Sequence, residues 1–131
     1  MNTTHKLTAL ALVALSAFAC SSARDVEVNG EVSAASGSSV QGEIVVEFYD
    51  IAGEGEELEL TNIQSLKLAA PGPFTETVPV EGERLLVRAI ADADADGACS
   101  ANEAWAESEV AIDGDTATVS LELSFKACPT Q

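Results

Sequence analysis

The sequence predicts an all-β fold, an antiparallel β-sandwich of about seven strands. The chain has 131 residues, which suits one domain. Beyond its N-terminal segment, apolar and polar residues alternate in short runs with no sustained helical period. Glycine, proline and acidic residues separate these runs, as is typical of sandwiches. The predicted strands are residues 25–32, 41–50, 57–69, 74–80, 83–91, 105–113 and 116–125.

The first three predicted strands show a period of two. Val26, Val28 and Val32 share one face of the first strand, opposite acidic and amide side chains. In the third strand the parity of the apolar residues switches at Thr61 and Asn62, which predicts a break or bulge there. The apolar face of the second strand consists of Ile44, Val46 and Phe48.

The last four predicted strands differ in their expected positions. Pro79 predicts an edge strand for 74–80, because proline cannot donate to a neighbouring strand. The apolar run 85–87 predicts a central strand for 83–91. Asp113 and Gly114 predict a hairpin turn between the last two strands. Residues 116–125 alternate most regularly, with Ala117, Val119, Leu121, Leu123 and Phe125 on the apolar face.

Residues 1–19 have the pattern of a helical secretory signal peptide. Lys6 and the amino terminus supply positive charge, and residues 7–19 are apolar apart from Thr8 and Ser16. The run is shorter than the roughly 20 residues that span a bilayer. Ala17 and Ala19 match the small residues that signal peptidases require. The segment therefore predicts export and removal of residues 1–19.

This cleavage site leaves Cys20 first in the mature chain, followed by Ser21 and Ser22. The arrangement resembles the lipobox of bacterial lipoproteins, in which the cysteine is lipidated. The resemblance implies a lipidated tether at 20–24 and attachment to a membrane of the cell envelope. The serines imply the outer membrane if the source is Gram-negative. Secretion without a lipid is the alternative.

The cysteine count agrees with a lipid on Cys20. The chain has three cysteines, and an odd number in an exported protein leaves one unpaired. Lipidation would use Cys20, so that Cys99 and Cys128 can form a disulfide in an oxidising compartment. Two free, buried thiols at these positions are the alternative.

Composition excludes several classes of function. With 22 acidic and 6 basic residues, the net charge of -16 excludes general binding to nucleic acid, because phosphates would be repelled. The single histidine, His5, lies in the predicted signal peptide. Its removal excludes histidine-dependent hydrolysis and histidine-ligated zinc in the mature chain. We therefore expect a protein that is not an enzyme.

Residues 92–103, DADADGACSANE, match the calcium-loop pattern at each fixed position. They resemble the twelve-residue loop of EF-hands and related loops elsewhere. Calcium prefers six to eight oxygens at about 2.3–2.6 Å, and Gly97 permits the sharp turn that brings them together. The predicted ligands are the carboxylates of Asp92, Asp94, Asp96 and Glu103, the carbonyl of Ala98, and Ser100 directly or through water.

The context of this loop differs from that of an EF-hand. A strand leads into it, and Cys99 stands at its eighth position, so we expect no paired, cooperative sensor. A structural calcium ion is predicted, and a plain solvated acidic turn or a magnesium site are the alternatives. The strand directions return Cys128 to the same end of the sandwich, so a disulfide to Cys99 would fasten the C-terminus to the loop.

Two sequence stretches resemble prealbumin-like domains, the transthyretin or carboxypeptidase-regulatory type. Residues 28–32 (VNGEV) and 42–50 (GEIVVEFYD) resemble their first hairpin, and 74–97 is similar to their later strands. The resemblance covers most of the mature chain. It implies an Ig-like or prealbumin-like sandwich over 25–131, of a kind that serves as an accessory module in exported proteins and in some cases binds carbohydrate.

The sequence thus predicts an exported, lipid-anchored envelope protein with structural calcium, acting as a non-catalytic binding or spacer module. The alternative is a secreted accessory domain that binds carbohydrate or protein. A small hydrolase with paired carboxylates is a remote third possibility. Two weaker features are the glutamates of 54–59, either a cation patch or a solvated edge, and Tyr49 and Trp105, either sugar-stacking or packing residues.

Overall fold

The computed structural model describes residues 23–36 and 40–129, and it confirms the all-β class. The predicted signal peptide 1–19 and the predicted lipidation site Cys20 lie outside the described residues. Within the described part of the chain, no helix is long and apolar enough to cross a membrane. The strands are β1 (Arg24–Ala34), β2 (Glu43–Ala52), β3 (Glu59–Leu68), β4 (Gly72–Val80), β5 (Arg84–Asp92), β6 (Ala104–Ala111) and β7 (Thr116–Phe125), with one 3₁₀ turn at Gly55–Glu57.

The seven strands form one folded-over sheet in the order β3-β2-β5-β6-β7-β1-β4. One layer contains β3, β2, β5 and β6, and the other contains β7, β1 and β4. The layers are joined where Ala104 pairs with Phe125 and Trp105 with Ser124. The outer strands also approach each other, since the Gln64 amide donates to Glu76 and, at 3.0 Å, to the Thr77 carbonyl. The sandwich is therefore nearly closed, like a barrel.

The pairing of β1 departs from the predictions in two respects. The first hairpin implied by the prealbumin resemblance is wrong, because β1 does not pair with β2. It pairs antiparallel with β4 and parallel with β7. The connection after β1 carries the chain to the other layer, where β2 pairs with β3 and β5. One parallel pair therefore interrupts the otherwise antiparallel sheet.

The core lies between the two layers and contains the predicted apolar faces. Val26, Val28 and Val32 of β1 are buried. Gly30 interrupts this row because a Cβ there would lie 2.2 Å from Cζ of Phe74. The Phe74 ring fills that space and meets Phe48 edge to face, with ring centroids 6.1 Å apart. Further buried core residues include Ile44, Val46, Val87, Val119, Leu121 and Leu123.

Three detailed predictions about strands are confirmed. The bulge in β3 falls at Ile63, beside the predicted break, and the Asn62 amide donates to the Phe48 carbonyl at 3.3 Å. Strand β4 is an edge strand, as Pro79 predicted, and β5 lies between β2 and β6 with both faces buried.

Phe125, on the predicted apolar face of β7, is instead 52% exposed, because β7 extends past the core at that point.

The strand directions give the sandwich two distinct ends. The segments 93–103 and 126–129 lie together where β5 and β7 end and β6 begins, and we call this end the loop pole. Arg24 pairs with Val80 at one end of β1, whereas Ala34 pairs with Leu123 at the other. The chain therefore enters β1 at the end opposite the loop pole. We call that end, with segments 53–58, 81–83 and 112–115, the tether pole.

Candidate metal centre

The acidic loop, residues 92–103, is anchored in the sandwich at both ends. Asp92 is the last residue of β5 and is 7% exposed. Glu103 directly precedes β6 and is 2% exposed. Asp94 and Asp96, between them, are exposed to solvent. Two carboxylates are thus fixed by the fold, and two are carried on a solvent-facing turn.

The loop brings its four carboxylates together. One oxygen from each of Asp92, Asp94, Asp96 and Glu103 lies within 4.8 Å of the other three. These are the four acidic residues that the sequence motif predicted as ligands. The cluster could hold a metal ion, and its donors are oxygens, which suit a hard cation.

Backbone amides orient the carboxylates of Asp92 and Asp96. Asp92 accepts from the Gly97 N–H at 2.8 Å and from the Asp96 N–H at 3.2 Å, one bond to each oxygen. Asp96 accepts from the Ala98 N–H at 2.9 Å. Each bond stabilises the ionised carboxylate and leaves lone pairs free for a cation. The turn is therefore organised around its own side chains.

Glu103 closes the loop from the far side. Its two oxygens accept from the Ser100 N–H at 2.9 Å and the Asp94 N–H at 3.3 Å. Its own N–H donates to the Ser100 carbonyl at 3.0 Å. Because Glu103 is buried, these bonds hold the middle of the loop against the sandwich.

The backbone of the loop needs left-handed residues at two points. Gly97 has φ of 76°, which confirms the sharp turn predicted at that glycine. Ala95 has φ of 59°, the one positive value at a non-glycine residue in the described part of the chain. An alanine in this region costs about 1–2 kcal/mol. The loop therefore retains some backbone strain beside its carboxylates.

Gly42 is a supporting residue that the sequence analysis missed. It lies just before β2 with φ of 92°, and a Cβ there would lie 2.6 Å from the Asp92 carbonyl oxygen. Glycine therefore lets the start of β2 lie directly against the base of the loop. A glycine near the start of the strand predicted at 41–50 was the available signal, but its partner Asp92 is distant in sequence.

The environment shifts the pKa values of two loop carboxylates in opposite directions. Burial disfavours ionised Asp92, but hydrogen bonds, led by that from the Gly97 N–H, outweigh it and lower its pKa. The Ala98 N–H favours ionised Asp96, but the neighbouring Asp94 and Asp92 carboxylates and partial desolvation raise its pKa. The crowding that affects Asp96 is the repulsion that a bound dication would offset.

The remaining predicted ligands lie next to the cluster. The Ser100 hydroxyl is 3.5 Å from an oxygen of Asp94, close to the carboxylates. Ala98 contributes its N–H to Asp96, while coordination by its carbonyl stays a prediction. Among the described residues, this loop is the one place where three or more potential metal-binding side chains converge. The glutamates of 54–59 are exposed and belong to no such group.

A disulfide joins the loop to the C-terminal segment. Cys99 and Cys128 are bonded, with Cα atoms 5.9 Å apart, as predicted from the cysteine count and the topology. Next to Cys128, the Ala127 carbonyl accepts from the Trp105 indole N–H at 3.0 Å. The Lys126 ammonium lies 4.7 Å from the centroid of the same ring. Trp105 is 7% exposed, which confirms a packing role over a sugar-stacking one.

A polar cluster beside the loop was not predicted. Arg88, 4% exposed, pairs with Glu107 at 2.9 Å and lies 5.0 Å from the centroid of the Tyr49 ring. The Tyr49 hydroxyl donates to Glu47 at 2.8 Å. Burial, then the hydrogen bond to Glu47, raises the pKa of Tyr49 to about 12. Tyr49 is half-buried and its ring is covered by Arg88, so it packs rather than presenting a face for stacking.

Comparisons with protein-family models, curated proteins and solved structures gave no match. The resemblances to bacterial lipoproteins and to prealbumin-like domains therefore stay predictions. The described residues form an all-β sandwich that carries an acidic cluster able to hold a metal ion.

Proposed function

We propose that this chain is an exported cell-envelope protein, anchored by a lipid on Cys20. Its β-sandwich would carry a structural calcium ion and act as a non-catalytic binding or spacer module. The observation that carries the proposal is the convergence of four carboxylates within 4.8 Å on one loop whose ends are buried.

Calcium suits this loop better than magnesium. Four carboxylates, the Ser100 hydroxyl and the Ala98 carbonyl offer enough oxygens for the six to eight ligands that calcium accepts. Magnesium demands a tighter octahedron and usually keeps several waters. Bound calcium would offset the mutual repulsion of the four charges.

A structural role follows from where the donors come from. Asp92 ends β5, and the other donors lie on the connector from β5 to β6, which is also fixed by the Cys99–Cys128 disulfide. An ion here would cross-link a single loop and keep it closed. We therefore assign the ion to loop stability, in line with an expectation that the chain is not an enzyme.

Two observations support the lipid anchor. The Cys99–Cys128 disulfide accounts for two of the three cysteines and leaves Cys20 as the odd one. The strand β1 begins at Arg24, at the tether pole, opposite the acidic loop. A lipid on Cys20 would then place the loop pole on the side of the domain away from the membrane attachment.

The second candidate, a carbohydrate- or protein-binding accessory domain, is favoured by one feature of the loop pole. Phe125 is 52% exposed beside a groove of about 520 Å³. The Cys99–Cys128 disulfide, Ala101 and Ala127 also line this groove. An exposed aromatic ring next to a partly apolar groove suits contact with a sugar face or an apolar side chain. Binding lost on Phe125→Ser and kept in chelator would favour this candidate.

Thermal unfolding of the mature chain in calcium and in chelator tests the metal proposal. Calcium at a hundredfold excess over Kd should add about 2.7 kcal/mol of stability. Asp94→Asn with Glu103→Gln should remove this gain, whereas Glu54→Gln with Asp115→Asn at the tether pole should keep it. The two pairs change the net charge equally. An equal calcium effect in both pairs would contradict the proposal.

The mass of the full-length chain expressed in a bacterial host tests the anchor. We expect a mature chain that begins at Cys20 and carries diacylglycerol, and that partitions into the detergent phase. Cys20→Ser should be recovered without the lipid, in the aqueous phase. An unmodified Cys20 at the N-terminus would contradict the anchor and favour simple secretion.

A further inference from the structure

We propose that the Cys99–Cys128 disulfide sets the cation affinity of the acidic loop, so that reduction by a dithiol weakens calcium binding and releases the ion. This inference rests on the proposed calcium function. It assigns a redox-dependent regulation to the same site.

Cys99 lies in the part of the loop that the strands do not hold. It stands between Ala98 and Ser100, two predicted ligands, whereas the fixed carboxylates Asp92 and Glu103 lie at the loop ends. The intervening turn is otherwise held by hydrogen bonds between its own amides and the carboxylates. The disulfide is therefore the covalent anchor of the half of the loop that must close over an ion.

The other end of the disulfide is attached to the rigid part of the sandwich. The Ala127 carbonyl, adjacent to Cys128, accepts from the buried Trp105 indole at 3.0 Å, and Lys126 lies over the same ring. Trp105 itself belongs to β6 and pairs with Ser124 of β7. The disulfide therefore fastens the part of the acidic loop between Asp92 and Glu103 to a segment held on two paired strands rather than to a free chain end.

Like-charge repulsion explains why this fastening changes affinity. Four carboxylates within 4.8 Å favour an opened loop when no cation is present. Without the disulfide the loop would populate many open conformations. The conformational entropy lost when a cation closes the loop would then reduce the free energy of binding. The disulfide removes most of those conformations in advance. The oxidised chain should therefore bind calcium more tightly than the reduced one.

The disulfide is accessible to a small reductant. Both cysteines are half-buried, and together they line two surface clefts of about 520 and 260 Å³. A thiolate of the dithiol can attack one sulfur of the disulfide, which releases one protein thiolate and forms a mixed disulfide with the other cysteine. The second thiol of the dithiol then attacks this mixed disulfide and releases the second protein thiolate. In total the protein gains two electrons and two protons as two thiols. The dithiol loses both and leaves as a cyclic disulfide.

Calcium titration of the oxidised and the dithiothreitol-reduced mature chain tests the inference. We expect Kd to rise at least tenfold on reduction, while the far-UV circular dichroism of the sandwich is unchanged. Because coupling between two equilibria is reciprocal, saturating calcium should make the disulfide harder to reduce by the same factor. A tenfold coupling corresponds to a midpoint about 30 mV more negative for this two-electron couple. The reduction midpoint of the disulfide can be followed by counting free thiols and by Trp105 fluorescence. Both measurements are independent of the calorimetric calcium titration.

Two variants serve as controls. Cys99→Ser with Cys128→Ser should show the weak Kd whether or not dithiothreitol is present. Asp94→Asn with Glu103→Gln keeps the disulfide, and its midpoint should not respond to calcium.

Three results would overturn the inference. A Kd within twofold in both redox states, with the thiols verified as reduced, would show that the disulfide does not tune the site. Loss of the β-sheet signal on reduction would show that the disulfide maintains the fold instead. Absence of calcium binding by the oxidised chain would overturn the proposed function together with this inference.

Discussion

The loop pole and the tether pole are both acidic, but they organise their charges differently. At the loop pole, backbone N–H groups orient Asp92, Asp96 and Glu103 toward one another, and two of these residues are buried. At the tether pole, the glutamates of 54–59 are exposed on a 3₁₀ turn and an extended segment. Buried ends and amide donors, rather than the density of acidic residues, therefore distinguish the candidate cation site from the tether pole.

The largest expected difference in stability is between alanine substitutions of two aspartates, each of which accepts two backbone N–H groups. Asp92 accepts two backbone N–H groups at the loop pole, and Asp50 accepts those of Glu81 and Gly82 at the tether pole. Asp92→Ala should cost about 2–3 kcal/mol in chelator, because donors near a buried site lose their acceptor, and should abolish calcium stabilisation. Asp50→Ala should cost about 1–2 kcal/mol and leave the calcium effect intact. Urea denaturation with and without calcium measures the stability of each variant and its stabilisation by calcium. Equal stabilisation of the two variants by calcium would contradict a role for Asp92 in binding the ion.

The loop pole and the tether pole each contain a glycine with a left-handed backbone. Gly97 and Gly114 have φ of 76° and 66°, and a Cβ at either would meet nothing within 4 Å. Each change to alanine should therefore cost about 1 kcal/mol, from backbone conformation alone. Gly97→Ala should also weaken calcium binding several-fold, since it distorts the turn between Asp96 and Ala98. Calorimetric titration that shows the same Kd for both variants would mean that the turn is not coupled to the ion.

Substitution of Ala95 by glycine should have a smaller effect on stability than the two glycine-to-alanine substitutions, and it should not be destabilising. Its φ of 59° is relieved by glycine, so Ala95→Gly should leave stability unchanged or raise it by up to about 1 kcal/mol. Ala111→Gly, at an exposed position in β6, should instead lower stability by about 0.5–1 kcal/mol. Thermal melts of the two variants measure the difference. A loss at position 95 as large as that at position 111 would show that the loop backbone is not strained.

The effect that changes stability least near neutral pH concerns the polar cluster beside the loop, because the pH dependence contributed by Tyr49 appears only in alkaline solution. Tyr49 is the single tyrosine, and its pKa is raised to about 12 by burial and by Glu47. Because the neutral form is favoured in the folded state, its stabilising contribution is present below pH 10 and is lost as the pH rises through about 12. Ultraviolet absorbance during alkaline titration should show ionisation above pH 11 in the folded chain. A midpoint near 10 in a chain that is still folded would contradict the packing of Tyr49.

Much of this architecture is predictable from local patterns. The alternation in residues 116–125 marks β7 because a strand with one buried face needs a period of two, and Pro79 marks an edge because it lacks an N–H. The motif 92–103 predicted the four converging carboxylates because it has the spacing of calcium loops, in which alternate carboxylates converge on one point. A twelve-residue loop contains its own chemistry, so no knowledge of the rest of the fold is needed.

The pairing of strands distant in sequence was harder to predict from the sequence. Alternation identifies which face of β1 is buried, but it does not identify its neighbours, so the parallel pairing with β7 was missed. The contact of Gly42 with Asp92 and the cover of Arg88 over Tyr49 depend on another long-range pairing, that of β2 with β5. The exposure of Phe125 depends on where the sandwich ends rather than on the pattern of β7.

Isothermal titration of calcium into the mature, oxidised chain is the decisive test of whether residues 92–103 form a metal site. We predict saturable binding of one ion per chain. Binding should be lost in Asp94→Asn with Glu103→Gln and kept in Glu54→Gln with Asp115→Asn. Heats that do not saturate, or that persist equally in both variants, would show that calcium merely associates with the acidic surface and that the loop at 92–103 is not a metal site.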